Sequence, residues 1–496
     1  MSGPPIRALA LKDGRIAALG PDPEHLAPAP PVGADFLEFP GGCVLPGFWD
    51  CHVHIAWLGA MRAACWLFDA RSISEIVQRV SRWAAAHPDA PAVPCRTANL
   101  EPAALAEGRM PAPADLDAVE RPVVISDVNK CLGNTAALAA AGIDPAACDP
   151  PGVLWFGEKS RLERILPPQR QGAFAERFEA GLHALAALGV TTAVEGYATP
   201  DEVAAIRRLD AEGRLPCRVI VQLAASTPEQ VHAFEASGLE FAQPLGPLSQ
   251  IGPAKIFYDQ FAMHRTARMT QPYQDESANT GAYFNGPEAF AQRLQAARDR
   301  GFPVAVHVTG DAGLAEAVDA MAREGCREGS FIIHGYFVPE GTAARMAGLG
   351  IGLAAQPAFL YHWADTLERF VGTDRVDRFY PFDHYLAAGV AVGASADAPI
   401  ADPDPLLGLY AATTRRSASG RTWGPDHALA MDAALTLYGE SAARLFPSSG
   451  LSARLAIGEP ADFVVLDRDP RTFDPADLRS IGILATFVAG RPVHTA

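Results

Sequence analysis

The chain has 496 residues, 49% of them apolar and 20% charged, with a formal net charge of −16. That length admits one large domain with an appendage, or two to three ordinary domains, and the composition suits a packed core. The acidic balance disfavours nucleic acid or an anionic membrane surface as a partner, and no apolar run approaches the ~20 residues that span a bilayer.

At the N-terminus, Arg7, Lys12 and Arg15 interrupt the apolar residues, which argues against a signal peptide. The eight cysteines include no CxxC pair and read as reduced, mostly buried thiols of a cytoplasmic protein. Ala8–Leu11 and Ile16–Leu19, separated by the turn Lys12-Asp13-Gly14-Arg15, predict a β-hairpin. The last forty or so residues share that texture, with strand-like runs at 462–467 and 483–493. Residues 1–47 and 448–496 are therefore expected to meet in one discontinuous β-sandwich domain, with 48–447 inserted between them.

The run Cys43–Cys51, apolar and aromatic, leads into the inserted region and is closed by His52-Val53-His54. Residues from about 60 to 180 are rich in Pro and Ala and read as an irregular insertion covering an active site. Strands then recur at 191–195, 218–223, 254–258, 303–307, 331–334, 351–355 and 390–393. Thr199-Pro200-Asp201-Glu202 and Thr227-Pro228-Glu229-Gln230 each supply an N-cap, a first-turn proline and a capping-box partner for a helix. Alternating strands and helices imply a parallel sheet. With the strand before His52 the count reaches eight, which predicts an α/β fold of the closed (β/α)8 TIM-barrel type.

In such a barrel, chemistry sits at the C-terminal ends of the strands. His52, His54, His307, His334 and Asp397 all fall there. Residues i and i+2 of a strand share a face, so His52 and His54 project side by side toward a common cation. One histidine in such a place is more often a satisfied core or rim residue; four in successive units argue for a metal site. Lysine occurs only at 12, 130, 159 and 255, so Lys255 inside the apolar run 253–258 is unusual. A buried lysine has a lowered pKa and a usable neutral amine that can take up carbon dioxide as a carbamate. The plainer alternative is a lysine reaching from a strand end to solvent. Asp397 can touch a metal and accept a proton from water, or simply cap the turn before Pro399. Glu195 ends a strand, where supporting a ligand and purely structural packing are equally open, and Asp311 reads as a helix cap. Trp57, Trp155, Phe156, Phe257, Tyr258, Phe359, His362 and Trp363 could line a pocket or pack loops.

Taken together, PGFWDCHVH (46–54), EGR (107–109), ADLDAV (114–119), NTAAL (134–138), KIFYD (255–259), VHVTGD (306–311), IHG (333–335), QP (356–357), SADAP (395–399) and GEPADFVVLD (458–467) resemble the amidohydrolase superfamily, in its YtcJ-like branch (amidohydrolase family 3). The resemblance implies a (β/α)8 barrel with a β-sandwich built from both termini. It implies metal-dependent hydrolysis of an amide-type C–N bond in a small organic substrate. His52 and His54 would bind the more buried metal and His307 and His334 the second. A carboxylated Lys255 would bridge them, and Asp397 would be both ligand and general base. Two Zn²⁺ per chain are the expected cofactors, with Fe, Mn or Co compatible with the same donors. A homo-oligomer is compatible with the pattern. Where relatives often carry Asp-Gly-His, this chain has Asp127-Val128-Asn129, and Gln260 stands where many have glycine. Asn129 joins Trp57, Trp155, Tyr258, Phe359 and Trp363 as a candidate substrate contact. A deaminase of the same superfamily is the nearest rival, but His307 is followed by Val308-Thr309-Gly310-Asp311 and Lys255 is present. Esterase or lactonase activity uses the same site, and a catalytically inert barrel is the remaining alternative.

Overall fold

The computed structural model describes residues 8–26, 36–62, 64–68, 70–97, 100, 102, 105–127, 130–155, 158–166 and 174–496. Its centre is a sheet of eight parallel strands. In chain order these are β1 (Phe48–Val53), β2 (Val190–Ala198), β3 (Arg218–Ala224), β4 (Ser249–Phe257), β5 (Val304–Val308), β6 (Phe331–His334), β7 (Gly352–Ala355) and β8 (Val392–Ala394). Each pairs with its sequence neighbour. The ring closes at its C-terminal end. Asp397 N donates to His52 O at 2.9 Å, and His54 N donates to Ala398 O at 2.9 Å.

The local reasons are those the sequence offers. Helices such as Pro200–Ala211 and Pro228–Ala236 begin with complete capping boxes at Thr199/Glu202 and Thr227/Gln230, satisfying amide groups that would otherwise lack partners. All six residues of β1 are buried, as a parallel strand covered on both faces requires. Near the N-terminal strand ends, Trp49 and Phe331 pack on Phe446, with ring centroids 6.0 and 5.3 Å apart. That end of the barrel is plugged with apolar side chains, which leaves the opposite end for chemistry.

Described segments from both ends of the chain share one antiparallel sheet. The strand Cys43–Pro46 pairs antiparallel with Phe463–Leu466, which continues to Ile483–Val488 and Arg491–Thr495. The hairpin Ala8–Lys12/Arg15–Gly20 lies against this sheet, with Ile16 N donating to Glu459 O (3.0 Å) and Ala461 N to Gly14 O (2.9 Å). Ile16, Phe463, Val465 and Phe487 form their common core.

Asp462 fastens this domain to the barrel. Its carboxylate takes Arg218 Nε at 2.5 Å and Nη2 at 3.2 Å, and accepts Ala489 N at 2.7 Å. Asp462→Ala strands a largely buried guanidinium and an amide. It is expected to lower unfolding free energy by about 1–3 kcal/mol, read as a reduced midpoint in denaturant titration.

The described residues of the region expected to be irregular form regular structure. They include a five-stranded mixed sheet of Cys65–Trp66, Val93–Arg96, Val123–Ser126, Lys130–Gly133 and Val153–Trp155. The amphipathic helix Ile73–Ala86, capped by Ser72, packs on it through Ile73, Ile76 and Val80. Its strands are two to four residues long, too short for a periodic pattern to emerge from the surrounding prolines. All eight cysteines are free thiols. Among the described residues, no helix is long and apolar enough to cross a membrane.

Candidate active site

The six residues singled out as a metal centre converge at the C-terminal mouth of the barrel. His52 is in β1 and His54 just beyond it, with ring centroids 5.2 Å apart. Asp397, three residues past β8, places Oδ1 3.4 Å from His52 Nε2 and 3.3 Å from His54 Nε2. Ligands about 2.1 Å from a tetrahedral ion lie roughly 3.4 Å from each other, so this spacing suits one cation held by all three. Asp397 Oδ1 and His52 Nδ1 are buried with no hydrogen-bond partner. Backbone strain marks the place: Asp397 and His334 adopt φ of 53° and 80°, a region that costs non-glycine residues energy.

His307 and His334, from β5 and β6, form the second half, with His334 Nε2 2.9 Å from His307 Nδ1. Their tautomers follow from their outer partners. Gln356 Nε2 donates to Ala354 O (3.3 Å) and Ser395 Oγ (2.8 Å), so its Oε1 is the atom facing His334 Nδ1 at 2.8 Å. Tyr380 OH donates to the same Oε1 at 2.6 Å. His334 therefore carries its proton on Nδ1. His307 Nε2 donates to Gln260 O at 2.9 Å, which leaves Nδ1 bare. Two lone pairs then face each other. Burial holds both imidazoles well below their ordinary pKa, so a bridging proton is disfavoured, and a shared cation is what this geometry accommodates.

Lys255, in β4, is 1% exposed, and its Nζ makes no hydrogen bond. It sits 5.0 Å from the Phe257 ring centroid. Burial brings its pKa down to about 7, with nearby Asp397 opposing the shift, so a sizeable neutral fraction exists near neutrality. His52 is likewise held well below its ordinary pKa, first by burial and then by Lys255.

Several supporting groups carried no assigned role from the sequence. Asp50 Oδ1 accepts His52 N and Ala396 N, both at 3.2 Å, tying β1 to the turn that carries Asp397; burial raises its pKa to about 7. Asp259 accepts Thr309 N (2.9 Å), Gly310 N (2.8 Å) and Arg268 N (3.0 Å), joining the loops after β4 and β5. A Cβ at Gly310 would lie 2.0 Å from Arg268 O, so that junction needs glycine. Asp50, Asp259 and Gln356 were visible in the sequence only as letters inside runs; their tasks are set by partners from distant strands. Glu195 accepts Ile55 N at 2.9 Å and Tyr197 N at 3.3 Å, bracing the start of the helix that follows His54. Asp311 accepts Ala312 N and Thr270 N at 2.8 Å each.

The candidate substrate contacts divide. Trp57 is 37% exposed, with its ring 5.9 Å from His54. Phe359 is buried 6.2 Å from the His334 ring, and Trp363 stacks behind it at 3.7 Å. Tyr258 turns away, donating to Glu316 at 2.8 Å and packing on Phe290. Trp155 lies in the insertion's sheet and donates to Asp149 O at 3.0 Å. Asn129 and Phe156 lie outside the described residues. Phe261, absent from the sequence reading, is 42% exposed and 5.0 Å from the His307 ring. A cavity of about 580 Å³ lined by His54, Trp57, Phe174, Arg177, Glu195 and Tyr197 opens beside this centre. A larger one of about 730 Å³, between Trp83 and Arg177, touches none of the histidines of the centre.

Comparison with known proteins agrees with this geometry. The model of the amidohydrolase family matches residues 40–494. The putative amidohydrolase YtcJ of Bacillus subtilis (strain 168) is 28% identical over 412 residues, covering 77% of this chain and 76% of that protein. An N-substituted formamide deformylase of Arthrobacter pascens is 26% identical, covering 98% of this chain and 94% of its own. The crystal structure of an uncharacterized metal-dependent hydrolase from Pyrococcus horikoshii OT3 superimposes with a TM-score of 0.73 at 25% identity, covering 94% and 95% of the two chains. The chain belongs to the amidohydrolase family and is a hydrolase acting on C–N bonds.

Proposed function

We propose that this member of the amidohydrolase family hydrolyses the C–N bond of a small N-substituted amide, formamides among them, at a two-cation centre. His52 and His54 would hold one ion, with Asp397 beside it, and His307 and His334 would hold the other. The observation that carries the reading is the pair His334 Nε2···His307 Nδ1 at 2.9 Å, whose outer hydrogen bonds set the neutral protons on the far nitrogens and whose burial disfavours a further proton between them. Zinc suits these nitrogen and oxygen donors, and Fe, Mn or Co are compatible with them.

Divalent cations bound there polarise a carbonyl oxygen and bring the pKa of a water toward neutrality. The chain's own groups do the rest. Asp397 accepts the water's proton at its carboxylate as the carbonyl carbon is attacked. It returns that proton to the departing amine nitrogen, so the carboxylate is regenerated. Neutral Lys255 Nζ could add to carbon dioxide, losing one proton to become a carbamate, which would supply anionic oxygen donors to the centre. Gln356 and Tyr380 keep His334 in one tautomer. The exposed rings of Trp57 and Phe261 flank the centre beside His54 and His307 and offer apolar surface to an N-substituent. The Arthrobacter pascens relative, matched along nearly the whole chain, acts on N-substituted formamides, which supports this substrate class.

The test is a panel of N-alkyl and N-benzyl formamides and acetamides, matched esters and lactones, and aminoheterocycles, with amine, acid and ammonia measured separately. Release of amine and acid in equal amounts is expected, fastest with apolar N-substituents. Ammonia from the heterocycles, or turnover of esters alone, overturns the proposal.

A further inference from the structure

A second cluster of metal-binding side chains lies outside this centre. Asp383 and His384 occupy the first turn of the helix Phe382–Ala387, and His427 closes the short 3-10 turn Pro425–His427. Gly424, at φ 52° and held by Asp377 Oδ1 (2.9 Å to its N), turns the chain so that His427 returns over the helix. Asp383 Oδ1 lies 2.8 Å from His427 Nδ1, while Oδ2 lies 3.7 Å from His384 Nε2. The two imidazoles stand edge to face at 88°, centroids 4.9 Å apart. One donor atom from each of the three residues falls within 4.8 Å of the other two.

An ordinary ion pair accounts for the His427 contact alone. It does not account for a second imidazole presented to the other oxygen of the same carboxylate. Two histidines and a carboxylate are a standard donor set for zinc-class ions, which hold such atoms at about 2.0–2.2 Å and complete the shell with water. The 2.8 and 3.7 Å separations bracket the spacing a tetrahedral ion imposes. The side chains are graded in exposure: His427 14%, Asp383 37%, His384 57%. His427 is thus a fixed anchor, and His384 is free to turn inward by rotation about its own bonds.

The geometry points to a peripheral divalent transition-metal site formed by Asp383, His384 and His427. It shares no residue with the barrel-mouth centre and would act as a clip. The fully buried Arg415 already binds these segments from inside, donating to Tyr380 O (3.1 Å), Phe379 O (2.7 Å) and Trp423 O (2.9 Å). An ion at the cluster fastens the same two segments from outside. The segment so held carries Tyr380, whose hydroxyl orients Gln356 and, through it, His334.

The experiment is equilibrium dialysis of the full chain, with the metals it carries on purification, against micromolar zinc chloride, followed by elemental analysis. Wild type is compared with His427→Asn and His384→Asn. Wild type is expected to hold one more zinc per chain than either variant. Added zinc should raise its thermal midpoint and leave theirs unmoved, while amide hydrolysis without added zinc is the same in all three. The count is a difference between proteins with identical barrel mouths, so it stands whatever that centre binds or hydrolyses. Should His427→Asn fail to fold, His384→Asn carries the test, since that ring makes no hydrogen bond among the described residues. Equal zinc counts and equal thermal shifts in wild type and His384→Asn overturn the proposal.

Discussion

His52→Ala is expected to lose at least one bound metal ion per chain and to reduce amide hydrolysis to background. His52 is 1% exposed and lies in the strand that closes the barrel. It stands with His54 around Asp397 Oδ1 at 3.4 and 3.3 Å. Without it, His54 would be the one imidazole left beside Asp397 and a Lys255 carbamate, a weaker donor set for a zinc-class ion. Elemental analysis of dialysed protein reads the first effect directly, and full occupancy in the variant would reject the assignment. A second substitution separates ligand loss from cavity formation. A Cβ at Gly196 would lie 2.4 Å from His52 Cε1, so Gly196→Ala keeps the imidazole but displaces it. Metal affinity is then expected to fall by roughly the 10–100-fold typical of disturbed ligand support, with the fold retained by circular dichroism.

The parts legible in the sequence are those encoded over short distances. All eight barrel strands coincide with apolar runs, because a strand buried on both faces must be almost continuously apolar. The two capping boxes at Thr199 and Thr227 formed as written, since a cap needs only four neighbouring residues. His52 and His54 announced themselves through a spacing of two. What stayed hidden depends on partners far along the chain. Gln356 acquires its task from His334, Tyr380 and Ser395, and Asp50 from Ala396. Nothing beside either residue encodes those contacts. Tyr258 shows the reverse: its place at a strand end suggested the pocket, yet the alternation of the strand sends it outward to Glu316. The insertion's sheet escaped because strands of two to four residues carry too few alternations to register.

Lys255 and Asp397 occupy the same centre and are expected to fail in different ways. Lys255 Nζ is buried with no hydrogen bond, an arrangement that costs stability unless the group is neutral or covalently altered. If its carbamate joins the two histidine pairs, Lys255→Ala removes an anion between cations that otherwise repel each other. Metal content and turnover should then fall together, and millimolar short carboxylic acids should restore part of both by entering the vacated space. Asp397 touches one pair only, at 3.4 and 3.3 Å, and its larger task is the proton. Asp397→Asn keeps shape and one donor oxygen but cannot take up a proton at neutral pH. At least one ion should stay bound, while turnover drops by roughly the 10²–10⁴-fold of a lost general base. Full activity with both ions retained in Lys255→Ala would remove the carbamate from the mechanism. Near-normal turnover in Asp397→Asn would move the proton transfer to another group, and Asp50, which reaches the same turn through Ala396 N at 3.2 Å, would be the next carboxylate to replace.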